Sequence, residues 1–185
     1  MTILWTYFWP CFGGGLLGGV IAGIFAFRAP RVRVKAPQGE IAAALASWSR
    51  RRRLALVAGA LATCIAVAVW HGPLGAADRL AVELERSGQQ TLGANDAPAG
   101  ITARIHHGPL TRQLVLSGPG DDFQRAEAAR LLSEIPGVSD ANWNNSAGIP
   151  LIVEGIAAGL VGFLFGLLLA YLVELRRRHN SQWTW

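Results

Sequence analysis

Three long apolar runs constrain this chain more than anything else in it: Ile3–Phe27, Leu54–Trp70 and Ile149–Val173, the last interrupted by Glu154. A helix needs roughly 17–25 apolar residues to cross a bilayer, and all three runs qualify, the second only just. One such run could be a buried helix of a water-soluble protein. Three of them, with Arg clusters alongside, read as membrane spans. The expected fold class is therefore an α-helical integral membrane protein with three transmembrane helices. The balance of 51% hydrophobic against 16% charged residues agrees with that class.

Charge distribution then sets the expected orientation. Residues 72–149 carry six Arg and nine acidic residues, whereas the other 11 of the 17 basic residues lie in Arg28–Arg53 and Arg176–Arg178. Lys and Arg beside helix ends stay on the cytoplasmic side, so residues 72–149 should face outward, into the periplasm of a bacterial cell. Met1–Pro10 lacks Lys and Arg, and no small-residue cleavage site follows. The first run thus reads as a retained helix and not a secretory signal. Trp5, Tyr7, Phe8 and Trp9 form an aromatic collar suited to a membrane–water interface.

The expected organisation follows. Residues 1–27 form the first span with its N-terminus outside, and 28–53 a basic cytoplasmic loop. Residues 54–71 form the second span, 72–148 a periplasmic domain, 149–174 the third span, and 175–185 a basic and aromatic cytoplasmic tail. Within the loop, Arg28–Lys35 reads as extended. Ile41, Leu45 and Trp48 recur on one helical face. An amphipathic helix lying in the inner interface, or packed on a partner, would then turn into the second span at the Arg run.

The outer segment reads as α-β-β-α-β. Ala76–Gln90 is helical, with Leu80, Ala81, Leu84 and Ser87 on one face, ending near Gly88 or Gly93. Leu92–Gly100 is a Gly/Asn/Asp/Pro loop. Ile101, Ala103 and Ile105 alternate with Thr102, Arg104 and His106, the period of a half-buried strand. Gly108-Pro109 marks a turn, and Gln113–Ser117 is a second strand with Leu114 and Leu116 on one side. Asp121 with Gln124 three residues on forms a capping box. The helix it opens has Phe123, Ala126, Leu131, Leu132 and Ile135 as its apolar face, stops at Pro136-Gly137, and leads to a short strand at Val138–Trp143.

Leu114-Val-Leu-Ser-Gly118, the helix rich in Ala, Arg and Glu, Ile135-Pro-Gly-Val138 and the closing Ala141-Asn-Trp143 resemble the BON domain family over about residues 76–145. That resemblance implies a small αββαβ periplasmic module, without enzymatic activity, that binds membranes, lipids or other proteins.

Catalytic and ligand-binding signals are weak. Gly13-Gly-Gly-Leu-Leu-Gly18 matches a dinucleotide fingerprint in letters, but it lacks the preceding strand and the water-exposed helix start such a site needs. Gly15, Gly19 and Gly23, spaced by four, form instead a smooth helix face, and Gly155, Gly159, Gly162 and Gly166 repeat it in the third run. Such faces allow close helix approach in lipid. They can pair within the chain or receive a helix of another subunit, and both readings stand.

Glu154 is the acidic residue inside an apolar run and so a candidate for ion or proton transfer. Its place about one turn past Pro150 favours a structural role near the outer interface. His106 and His107 are adjacent on a strand and point to opposite faces, a poor arrangement for one metal ion. Ser117 lacks the setting of a nucleophile. Cys11 and Cys64 both fall in apolar runs and read as small buried hydrophobes.

The net charge of +5 is concentrated where Arg50, Arg51, Arg52, Arg53, Arg176, Arg177 and Arg178 abut the spans. There it serves topology and anionic headgroups, not nucleic acid. No enzyme, cofactor or metal site is expected. The expected function is a non-catalytic accessory or scaffold subunit of a multi-subunit inner-membrane complex, respiratory or photosynthetic for example, whose partners are other membrane subunits and membrane lipids. The alternatives are a free-standing envelope protein whose outer domain binds lipid or periplasmic partners, and a small transporter using Glu154.

Overall fold

A computed structural model describes residues 3–28, 37–144 and 148–181. The Arg28–Lys35 segment beyond Arg28 and the last four residues of the aromatic tail lie outside the described residues. Chain order is α1 (Ile3–Phe27), α2 (Gln38–His71), α3 (Ala76–Ala94), β1 (Thr102–His107), β2 (Leu110–Ser117), α4 (Asp122–Ser133), β3 (Asp140–Asn142) and α5 (Leu151–Ser181). Helices α1, α2 and α5 are long and apolar enough to cross a membrane. Two compact units result, one combining residues up to Pro10 with Ala68–Gly155, the other combining Cys11–Val67 with residues from Ile156 onward.

The first unit contains an αββαβ module. Its three-stranded sheet has the order β1-β2-β3. β1 and β2 are antiparallel, with Ala103 opposite Leu116 and Ile105 opposite Leu114. β3 lies parallel to β2, with Ala141 beside Leu114. A parallel neighbour requires a crossover connection, and α4 supplies it. The alternation expected along β1 is present: Ile101, Ala103 and Ile105 are buried. Leu114 and Leu116 of β2 are buried beside them, and α3 packs on the sheet with Leu80, Ala81, Leu84 and Leu92 buried. Burying apolar side chains from these three elements contributes roughly 1.5–3 kcal/mol for each large one.

The structure extends or corrects several boundaries. α3 runs through Gly88 to Ala94. Gly88 is not a stop, because it faces the sheet: a Cβ there would lie 3.3 Å from both Ala103 Cβ and Leu114 Cδ1. The expected loop at Leu92–Gly100 therefore loses its first residues to the helix. On α4 the capping box of Asp121 and Gln124 forms as expected. Its buried face, however, consists of Ala128 and Leu132. Phe123 is 78% exposed, and Ala126 is exposed too. At about 100° per residue, Phe123 sits roughly 140° from Ala128 and opposite Leu132, so it cannot share their face. β3 is shorter than Val138–Trp143. Trp143 turns back instead, donating its indole N–H to the Arg125 carbonyl at 3.0 Å.

In the second unit, α2 continues without a break from Gln38 through Arg50–Arg53. The separate interfacial helix and its turn at the Arg run do not form. Ala, Leu and Arg, all strong helix formers, dominate this stretch. Ser47 and Ser49 donate their hydroxyls to the Ala44 and Ala46 carbonyls, both at 2.8 Å, so both are satisfied within the helix. α5 likewise continues past Arg176–Arg178 to Ser181, making the described part of the tail helical.

Candidate functional site

Helix packing in the second unit explains its glycines. A buried stripe runs along α1 through Cys11, Gly15, Gly19, Gly23 and Ala26, and another along α5 through Gly159, Gly162, Phe163, Gly166 and Ala170. Each glycine of one stripe meets backbone or small side chains of the other. A Cβ on Gly15 would overlap the Gly159 carbonyl, and one on Gly19 the Phe163 carbonyl. A Cβ on Gly162 would overlap the Phe12 carbonyl, one on Gly166 the Leu16 carbonyl, and one on Gly23 the Ala170 side chain. Helix α2 joins through Thr63 and Gly59: Gly159 lies against Thr63 and Val67, and Gly59 against Ala22 and Phe163. Of the two pairings left open by the sequence, the one within the chain is formed. Gly155 is buried as well.

With the glycines facing inward, long aliphatic side chains face outward. On α2, Leu54, Val57, Leu61 and Ile65 are 58–64% exposed. Leu17, Ile21, Ile24 and Phe25 of α1 and Leu164, Leu168 and Leu172 of α5 are similarly open. Surfaces this apolar need lipid or other helices around them.

Arg52 and Arg178 gather around Phe27. The Arg52 guanidinium lies 5.6 Å from the Phe27 ring centre and 5.8 Å from that of Trp48. Arg178 donates to the Phe27 carbonyl at 3.0 Å and to Glu174 at 3.0 Å. Arg50, Arg51, Arg53, Arg176 and Arg177 are exposed, with Arg177 3.9 Å from Glu174.

Glu154, in the first unit, has a partner that sequence reading did not supply. Arg112 of β2 donates from Nε and Nη2 to its two carboxylate oxygens, at 2.6 and 2.9 Å. Arg112 Nη1 donates to the Gly137 carbonyl at 3.0 Å. Both side chains are only about a fifth exposed. This bidentate fork joins β2, the end of the α4 connection and the first turn of α5. It gives Glu154 a structural part. One sequence signal for it exists: Arg112 has the strand parity of the buried Leu114 and Leu116.

The contacts of Tyr7 were not foreseen. Tyr7, fully buried, lies with its hydroxyl 2.7 Å from His71 Nδ1. Trp70 donates its indole N–H to the Tyr7 carbonyl at 3.2 Å. The sequence grouped Tyr7 with Trp5, Phe8 and Trp9 in an aromatic collar, whereas the structure buries it against partners more than sixty residues away.

His106 and His107 are engaged separately. His106 Nδ1 is 2.9 Å from the Pro109 carbonyl oxygen, and His107 Nε2 is 3.8 Å from Glu85. Among the described residues, no group of three His, Cys, Asp or Glu is placed to hold a metal ion. No protein-family model, curated protein or solved structure matches the chain.

Proposed function

We propose that the chain is a non-catalytic accessory or scaffold subunit of a multi-subunit complex in the bacterial inner membrane. In this reading, α1, α2 and α5 span the bilayer, the N-terminus and the αββαβ module are periplasmic, and the C-terminus is cytoplasmic. The observation that carries the proposal is the module itself. Its element order, α3-β1-β2-α4-β3, is the one the BON resemblance implies, and it lies in the chain between helices long enough to span. A small binding module tied at both ends suits a fixed station beside a partner.

Of the two parts open to the glycine faces, pairing within the chain is the one that fits this reading. They close the helices on one another, so neighbouring subunits and lipid would meet the outward Leu, Val, Ile and Phe side chains. Anionic headgroups would meet the Arg50–Arg53 and Arg176–Arg178 clusters.

Mild detergent extraction followed by native electrophoresis and mass spectrometry tests this reading. Co-migration with defined membrane subunits is expected, and a strictly monomeric species overturns it. Labelling of single cysteines placed at Asp96 and at Gly39, with Cys11 and Cys64 replaced, tests the orientation. Asp96 should react with an impermeant reagent from outside, and Gly39 should not.

A further inference from the structure

A cleft in the first unit has the chemistry of a phospholipid headgroup site. It is lined by Thr6, Tyr7, Trp70, Ala76, Arg79, Leu80 and Glu83 and encloses about 360 Å³, within the usual range of small-molecule pockets. Tyr7 and Leu80 are buried and form its floor. The Trp70 indole is fixed by its bond to the Tyr7 carbonyl, and the Arg79 guanidinium lies over that ring at 5.7 Å. Arg79 is held from behind: Nε donates to the Gly75 carbonyl at 3.2 Å and Nη2 to the Leu74 carbonyl at 2.9 Å. Neither bond uses Nη1.

Glu83 stands one helical turn further along α3. Residues four apart on a helix are neighbours and commonly pair. Here Arg79 is turned towards backbone carbonyls, and Glu83 has Arg86 at 3.8 Å as its cation. A positive and a negative group therefore border one cleft without neutralising each other.

We propose that this cleft binds the headgroup of a zwitterionic phospholipid carrying a primary amine, a phosphoethanolamine lipid. The phosphate would accept from Arg79, and the ammonium would donate to Glu83. The level is right for such a ligand: Trp5 and Trp9, stacked with ring centres 5.5 Å apart, are 49% and 54% exposed in the same unit. Exposed Trp residues at the end of an apolar helix belong to the headgroup layer. A phosphatidylglycerol headgroup has no cation for Glu83. Phosphatidylcholine has one, but its methylated nitrogen cannot donate a hydrogen bond.

This inference rests on the chain residing in a membrane, and its test separates the two claims. The full-length protein is reconstituted in nanodiscs with equal amounts of phosphatidylethanolamine, phosphatidylglycerol and phosphatidylcholine, and retained lipid is counted by native mass spectrometry. Wild type should retain the ethanolamine lipid about tenfold over the others, the ratio expected of one charge-assisted hydrogen bond. Glu83→Gln should lose the preference while keeping phosphate binding, and Arg79→Gln should lose both. Because Arg79 also holds backbone carbonyls, melting temperatures are measured alongside, and Arg79→Lys accompanies it: a lysine keeps the charge but not the fork, so weakened but retained phosphate binding is expected.

Equal retention of the three lipids by wild type, or an unchanged preference in Glu83→Gln, overturns the headgroup site alone. Release of the wild-type chain from membranes by alkaline carbonate overturns membrane residence and this site with it. A monomeric chain that still prefers the ethanolamine lipid overturns the accessory-subunit reading and leaves the site standing.

Discussion

The two units solve the packing problem in opposite ways. In the αββαβ module, apolar side chains point inward and polar ones outward, so Leu84, Leu114 and Leu132 are fully buried while Glu127 and Arg130 pair on the surface. Apolar area leaving water drives this arrangement. In the helical unit the balance shifts: glycine and alanine dominate the buried seam of α1 and α5, around Phe163, Thr63 and Val67, while most Leu and Ile side chains face out. In the proposed membrane setting, where lipid replaces water around the helices, moving leucine inward would gain little. Close backbone approach across small residues supplies the attraction instead. What stabilises one unit is volume, and what stabilises the other is its absence.

The sharpest way to break this comparison is to add volume to the helical seam. Gly19→Val places a branched side chain against the Phe163 carbonyl, a backbone atom that cannot swing aside. A loss of about 3 kcal/mol or more is expected, read as a collapse of the folded fraction in an SDS titration. Gly13→Ala, with nothing within 4 Å, should be neutral or stabilising by up to about 1 kcal/mol through helix propensity. If both variants behave alike, the seam does not hold the helices.

Removing volume is the corresponding break in the module. Leu132→Ala should cost about 2–4 kcal/mol by leaving a cavity beside Gly88 and α3, followed by loss of amide-exchange protection in β1 and β2. The same truncation at the exposed Leu61 of α2 should change stability by less than about 1 kcal/mol.

A smaller effect is expected at the Arg112–Glu154 fork. Glu154→Gln or Arg112→Met alone should cost about 1–3 kcal/mol, since each leaves a half-buried group without its counter-charge, with solvent access at about a fifth exposure lowering the figure. The double variant should cost less than the sum of the two. Strict additivity in a thermal-denaturation cycle would show that the fork carries no coupling.

The smallest effect belongs to the module's surface. Arg130, hydrogen-bonded to Glu127, holds that carboxyl below its ordinary proton affinity. A folded-state value below the unfolded one contributes stability above the unfolded value and loses it as pH falls through the folded value. Glu127→Gln should therefore lower the melting temperature slightly at neutral pH and not at all once the carboxylate is protonated. High salt should erase the difference, because the pair is solvent-exposed.

The sequence by itself determined the parts whose causes are local. Long apolar runs dictate long helices, and α1 runs through Pro10 without a break. The alternation of Ile101, Ala103 and Ile105 fixes which face of β1 is buried, and Asp121 with Gln124 fixes where α4 begins. Reading went astray where a residue had two possible local roles. Gly88 can end a helix or let it press on a sheet, Phe123 can belong to a core or lie outside it, and an Arg run can stop a helix or ride on it. Tertiary structure alone decided these, because each depends on which surface stands a few ångströms away. Arg112 met Glu154, Tyr7 met His71, and one glycine face met the other for the same reason. Their partners are distant in the chain, and no local spacing specifies them.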